Sequence, residues 1–476
     1  MQGEDDLVAV TISCSAADLE EEGVQLELWW AGDDIRLWEE SNKVTLVAPP
    51  PEIWELPTQD LPLTLYIEGY DTSTQLRDAY LTLTLLHEDE DVAEDEVLVT
   101  VVDLGLKEVS FSGTKYHEVR LDDNSGDYSA PHWQDNSSPL DGDAEDTGDR
   151  KYPVCFTRNT KMKTSVKIIA APTAALGGAV KIRGDGSDAA DIPETVATVN
   201  GNEVTITDVE ATGAFPNEVK RYNPFYVRWD ISCADGGGWT NAGLSDNEGF
   251  ITLEDPACSP RFRTVLHVAC KNGGATDYDT CLTNTWACFS GPGNVRAWDE
   301  SRKDYGRYLY YYHQADGHNN YYTTGLLADA DGQCHAWAHF FKECLRANNV
   351  QNVMKTQVEP YGTYGGFGVK NLGYTGMSYP TDPDSWFYAE SDIDTGVAGI
   401  PGQNMSTPQA KLFGVHYIVH RTGDATYYDP SYGITASGYA QFTTSAVDAW
   451  ERHNGGPWRE ASSQPSVEVT FTDQNW

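Results

Sequence analysis

The sequence predicts a multidomain, β-rich chain in which two all-β domains precede an α+β domain. Three observations carry this expectation. The chain has 476 residues, too many for one ordinary core at roughly 100–200 residues per domain. Apolar and polar residues alternate with period two through most of the first 256 positions, the signature of half-buried strands. After Pro256 the apolar spacing turns helical in several stretches, so helices join the strands there. These shifts place the domains at 1–106, 107–256 and 257–476.

The first domain is expected as a sandwich of immunoglobulin-like type. Its strands are Val24–Trp30, Leu63–Tyr70, Tyr80–Glu88 and Glu96–Leu106, separated by turn clusters such as Gly32-Asp33-Asp34 and Pro49-Pro50-Pro51. The acidic stretch Glu88–Glu96 reads as a solvated loop before the last strand. The second domain is expected as another sandwich, with strands at Thr164–Ala170, Ala179–Gly184, Glu203–Val209, Phe225–Ser232 and Phe250–Asp255. A polar insertion, Asp122 to Arg150, interrupts it. Asp141, Asp143, Glu145, Asp146 and Asp149 crowd five carboxylates into nine residues. Hard cations take several oxygen ligands on such turns, so a Ca²⁺ loop is one reading. A plain solvated acidic loop is the other, and the EF-hand spacing is absent.

Charge and hydropathy exclude several partners. With 32 basic and 73 acidic side chains the net charge is −41, which repels nucleic acid and anionic membranes. No apolar run approaches the ~18 residues of a membrane span, and the acidic start MQGEDD has no signal-peptide core. The Asp-, Asn-, Gly- and Thr-rich strand texture points to an extracellular or cell-surface protein. Nine cysteines contain no C-x-x-C, which argues against zinc-ribbon and thioredoxin chemistry. One nucleophile would leave eight for disulfides; buried free thiols are the alternative.

In the third domain, Ser259-Pro260 before RFRTVLHVAC reads as a cap and first-turn proline of a helix. The richest stretch is Leu326–Val350. Trp337, Phe340, Phe341, Cys344 and Leu345 share one helical face, Asp331 is the expected N-cap, and Asn348-Asn349 the stop. Cys334 then falls in the first turn, off the apolar stripe. First-turn N–H groups and the helix dipole favour a thiolate there. About eighty residues later, Phe413–Gly433 reads as a β-hairpin around Thr-Gly-Asp. With Thr422-Gly423 as the loop, His416 lies directly opposite Asp429; with Gly423-Asp424 the two are diagonal. Either register keeps them on one face, and favours His416 over His420 as the histidine that Asp429 orients. Histidines His335 and His339 at i and i+4 have the spacing of a zinc pair, without the glutamate of H-E-x-x-H.

GQCHAWAHFFKECLRANNV, then a strand histidine, then YYDPSYG, resembles the transglutaminase-like superfamily of papain-like cysteine enzymes. The resemblance spans about Leu326 to Gly433. It implies an α+β core with a Cys–His–Asp triad, its nucleophile on Cys334, its histidine on His416 and its aspartate on Asp429. Ala336 and Trp337 match the small and aromatic residues after the family's cysteine. Many members carry a tryptophan soon after the histidine, where this chain has Tyr417-Ile418. The implied activity is acyl transfer or hydrolysis at protein or peptide carboxamides through a thioester, with glutamine and lysine side chains as substrates and no required cofactor. Gln333 and the indole of Trp286 are candidates for the substrate and oxyanion site; for Trp286 core packing is the plainer reading. The competing reading is a non-catalytic adhesin or fibre subunit that associates with, or cross-links, copies of itself.

Overall fold

The computed structural model describes residues 7–12, 24–31, 35–38, 53–56, 63–69, 78–87, 90–100, 103–136, 148–171, 179–188, 190–232, 239–291, 293–312, 320–360, 367–369, 373–374, 393–394, 401–405, 412–413, 415–423, 426–438, 441–442, 447–448 and 469–474. Among these the chain is β-rich, with four α-helices.

The N-terminal strands form two antiparallel sheets. One orders Leu7–Ile12, Leu63–Gly69 and Ile35–Trp38; the other orders Ile53–Leu56, Val24–Ala31, Asp78–His87 and Glu90–Thr100. The acidic run differs from expectation, because Glu90 already opens a strand that pairs with His87. Ladder hydrogen bonds hold these residues extended whatever their charge.

Two six-stranded sheets follow. The first centres on Asp103–Ser112, Lys163–Ala171 and Glu203–Glu210, and the second on Lys181–Gly186, Lys220–Ser232 and Trp239–Thr252. Alternation is visible in the burial of Lys181–Gly186, where every second residue is covered. The two sheets share a core: Val109, Val166 and Ile168 from one meet Phe156, Ile182, Trp229 and Ile231 from the other. Such interdigitation of two inner faces is what period-two sequences build.

The helices are α1 (Arg263–Cys270), α2 (Tyr278–Trp286), α3 (Thr323–Asp329) and α4 (Cys334–Ala347). They accompany a five-stranded antiparallel sheet ordered Ile434–Ala436, Thr426–Asp429, His416–Arg421, Val353–Pro360 and Val469–Gln474. Helix α4 is central and packs on the other three helices and on the sheet. Its face of Trp337, Phe340, Phe341, Cys344 and Leu345 is fully buried. Phe289 fits into that face, 4.8 Å from Phe341 and 5.6 Å from Phe340 between ring centroids.

The β region before Pro256 and the helices after it pack in one core, since Val119, Cys155 and Phe250 share a cluster with Leu266 and Phe341. Polar side chains bridge the same junction. Asp122 accepts from the Thr264 amide at 3.0 Å and from its hydroxyl at 2.5 Å. It therefore caps the first turn of α1 from far away in sequence, where Ser259 was expected to do so. Helix α1 starts only at Arg263. Asn348, fully buried, accepts from Leu253 N–H and donates to the Ala269 carbonyl, both at 2.9 Å.

Removing that amide strands a buried donor and a buried acceptor, at roughly 1–3 kcal/mol each. Asn348→Ala is therefore expected to lower the unfolding free energy by about 2–4 kcal/mol in urea denaturation. A change under about 0.5 kcal/mol would show that the bridge carries no load.

Candidate active site

Cys334 is the first residue of α4, and Gln333, with extended backbone, is its N-cap. Asp331, the expected cap, is occupied otherwise: Asp331–Gly332 pair in parallel with Tyr310–Tyr311. That ladder holds the chain extended two residues longer than local propensity suggests. It also places the thiol at the very start of the helix, where first-turn N–H groups lack intrahelical acceptors. Cys334 is 4% exposed. None of the seven described cysteines forms a disulfide.

His416 opens its strand, and the ladder Val419↔Tyr428 and His420↔Tyr427 sets it diagonal to Asp429. This is the second of the two registers weighed from the sequence. His416 Nε2 donates to Asp429 Oδ2 at 2.8 Å, and Asp429 Oδ1 accepts from the Ser431 amide at 3.0 Å. Both residues are buried. With Nε2 taken by Asp429, the Cys334 side chain lies near enough to this imidazole to favour its charged form. Burial alone would pull the imidazole pKa down. The Asp429 charge and hydrogen bond, helped by Cys334, outweigh it and raise the pKa to about 10. His420 serves elsewhere, stacked 4.4 Å from Tyr427 and bonded to Asp473 at 2.8 Å.

Tyrosines surround this centre. Tyr432 lies 5.8 Å from the His416 ring and 5.1 Å from the Tyr311 ring, between centroids. Tyr312 has φ +51°, a left-handed backbone unusual for a bulky residue; its amide donates to the Gly332 carbonyl at 3.2 Å. Gln333, Tyr312 and Tyr417 are half-buried, so they are the residues of the site that reach solvent. Gln403 clamps the arrangement: its amide donates to Phe289 O at 2.7 Å, its carbonyl oxygen accepts from Gly293 N–H at 3.2 Å, and its backbone N–H donates to Ser431 O at 2.9 Å. Gly433, at φ +68°, lets the turn after Asp429 lie against Phe289 and Gly291, where a Cβ would collide with backbone.

Beside the nucleophile sits a buried cation. Lys355 is 1% exposed, its Nζ donates to His335 Nε2 at 2.7 Å, and it lies 4.6 Å from the Tyr417 ring centroid. His335 Nδ1 donates to the Tyr321 carbonyl. Both nitrogens of His335 are therefore engaged, one by an ammonium, which opposes a dication at the His335/His339 pair. Burial and then the Lys342 charge lower the Lys355 pKa to about 7, against the pull of Cys334.

The other expected residues fall as follows. Trp286 packs at 5.2 Å on Phe341 and 5.1 Å on Tyr428, about two turns of α4 beyond Cys334. Asp141, Asp143, Glu145 and Asp146 lie outside the described residues; Asp149 is described and half-buried. Among the described residues no group of three His, Cys, Asp or Glu is placed to hold a metal. Sequence reading gave no role to Lys355, Tyr432 and Gln403, although Tyr432 lies inside the quoted YYDPSYG and Lys355 stands as a charge two positions from Val353 in an alternating strand.

No protein-family model and no curated protein matches the sequence. The solved structure of Bifidobacterium dentium beta-glucuronidase complexed with coumarin-3-O-glucuronide is matched over 52% of this chain and 39% of its own. The identity is 9% and the TM-score 0.13, a likeness that carries no argument.

His416 and Lys355 give opposite pH dependences of stability. Folded His416 keeps its proton to about 10, against 6.5 ordinarily. Its stabilisation is complete below 6.5 and is lost as pH rises toward about 10. Folded Lys355 releases its proton near 7, against 10.5 ordinarily; its cost is complete below about 7 and fades as pH rises toward 10.5. Lys355→Met removes the second slope. Its melting temperature is expected to fall more than that of the wild type from about pH 7 to about pH 10; parallel curves would refute the opposition.

Proposed function

We propose that the chain is a cysteine-dependent acyltransferase or hydrolase of transglutaminase-like type acting on protein or peptide carboxamides. The observation that carries this reading is the meeting of Cys334, His416 and Asp429, in that sequence order, at the N-terminus of α4. In this reading the Cys334 sulfur attacks the carboxamide carbon, and a C–S bond forms while the oxygen takes the negative charge. First-turn N–H groups of α4 stabilise that oxyanion. His416 gives its proton to the departing amine, the C–N bond breaks and a thioester remains. His416 then takes a proton from the acceptor, which displaces sulfur; a lysine amine yields an isopeptide and water yields the acid. Asp429 holds the ring in one tautomer throughout. The preceding sheets are read as immunoglobulin-like sandwich domains of an extracellular or surface protein, and glutamine and lysine side chains of other proteins as substrates.

The low exposure of Cys334 favours one second reading. In it the fold is a surface adhesin or fibre element that reacts once with its own chain or not at all. The acidic insertion at 141–149 would bind Ca²⁺ in either case only as an accessory.

Iodoacetamide with mass mapping tests both. Burial pushes the thiols of Cys258 and Cys281 up to about 12, and raises those of Cys155, Cys270, Cys288 and Cys344 as well. Cys334 is expected to label ahead of these six, and to lose that lead in His416→Ala. Ammonia release from glutamine peptides is expected to vanish in Cys334→Ala and to fall about 10²–10⁴-fold in Asp429→Asn. Labelling of Cys334 no faster than in His416→Ala would sink the enzyme reading. An isopeptide in the untreated chain would favour self-modification.

A further inference from the structure

A cavity of about 840 Å³ lies where Lys220–Ser232 and Trp239–Thr252 meet the start of α1 and the hairpin Arg296–Asp299/Asp304–Tyr308. None of Cys334, His416 and Asp429 lines it. Its size is that of sites that enclose a small organic ligand.

Most of the charges in its wall are already paired; Asp149 and Arg150 also line it, with Arg150 5.2 Å from the Tyr152 ring centroid. Glu248 accepts from Arg221 at 2.8 Å, from Arg263 at 2.9 Å and from the Tyr305 hydroxyl at 2.7 Å. Lys151 pairs with Asp246 at 2.9 Å, Lys303 with Glu300 at 2.9 Å and Arg302 with Asp304 at 2.8 Å. An ionic ligand would have to break such a pair to reach Glu248, Asp246, Arg221, Arg263, Lys151 or Lys303.

Two neutral groups in the wall have no hydrogen-bond partner, the Trp298 Nε1–H donor and the Asn247 Oδ1 acceptor. Asn247 is 3% exposed. Its Nδ2 donates to the His132 and Tyr152 carbonyls at 3.0 and 2.9 Å, which settles its amide orientation. Aromatic rings form part of the wall, with Tyr128 and Tyr152 5.0 Å apart and Trp298 held under Arg263 at 3.2 Å. Rings plus one fixed donor and one fixed acceptor suit a ligand with apolar C–H faces and hydroxyls, each of which can donate and accept.

We propose that this cavity is a binding site for a neutral short oligosaccharide, separate from the Cys334 centre.

The test is a glycan array of neutral and acidic oligosaccharides, probed with the full chain and followed by calorimetry on the best binder. Neutral glycans are expected to bind, with equal affinity in Cys334→Ala. Trp298→Phe keeps a ring and removes the N–H, so affinity is expected to fall about tenfold. Tyr152→Ala is the second variant should Trp298→Phe shift the melting temperature, and it should also weaken binding. Preference for acidic glycans, no glycan binding, or full affinity in both variants would overturn the proposal. Because the readout needs no catalysis, its failure is distinct from failure of the acyl-transfer reading.

Discussion

The buried hydrogen bond between His416 and Asp429 is the interaction on which the rest of the site depends. A carboxylate without exposure is costly unless a cation or donors satisfy it. Asp429 meets that demand with the imidazole on one oxygen and the Ser431 amide on the other. The same bond holds the imidazole charged, with the Cys334 side chain favouring that charge as well. Protonation state, orientation and position of the base thus follow from one carboxylate, and the thiol at the head of α4 completes the set.

Such a centre needs a rigid surround, and the chain supplies it with buried amides. Gln403 ties its own loop to Phe289, Gly293 and Ser431, and Asn404 donates to Val295 O at 2.9 Å and to Leu309 O at 2.5 Å. Asn348 and Asp122 do the same between the helices and the preceding sheets. Together they satisfy backbone groups that no helix or ladder could reach. The site is consequently fixed from regions of the chain far apart in sequence, at the cost of a sulfur that is almost closed off from solvent.

Local pattern made part of this legible. The spacing of Trp337, Phe340, Phe341, Cys344 and Leu345 was enough to define α4 and its buried face, because helical period and burial act on the same few residues. The hairpin was readable too, though two registers were open; the pairing of His420 with Tyr427 selects one. What escaped is long-range. Asp331 has the right chemistry for a cap, yet a parallel bridge to Tyr310 claims it. Ser259 lost its expected place to Asp122, which precedes it by more than a hundred residues. Lys355 reads as a surface lysine until the sheet places it beside His335. Propensity describes neighbours in sequence, and these residues are set by neighbours in space.

The most direct measurement is an NMR titration of nitrogen-labelled imidazoles, with His416 assigned through His416→Gln. An imidazole clasped by Asp429 next to the Cys334 sulfur is predicted to remain doubly protonated through neutrality and to titrate near 10. A His416 ring that loses its proton near the ordinary 6.5 would mean that the carboxylate, the ring and the sulfur do not meet.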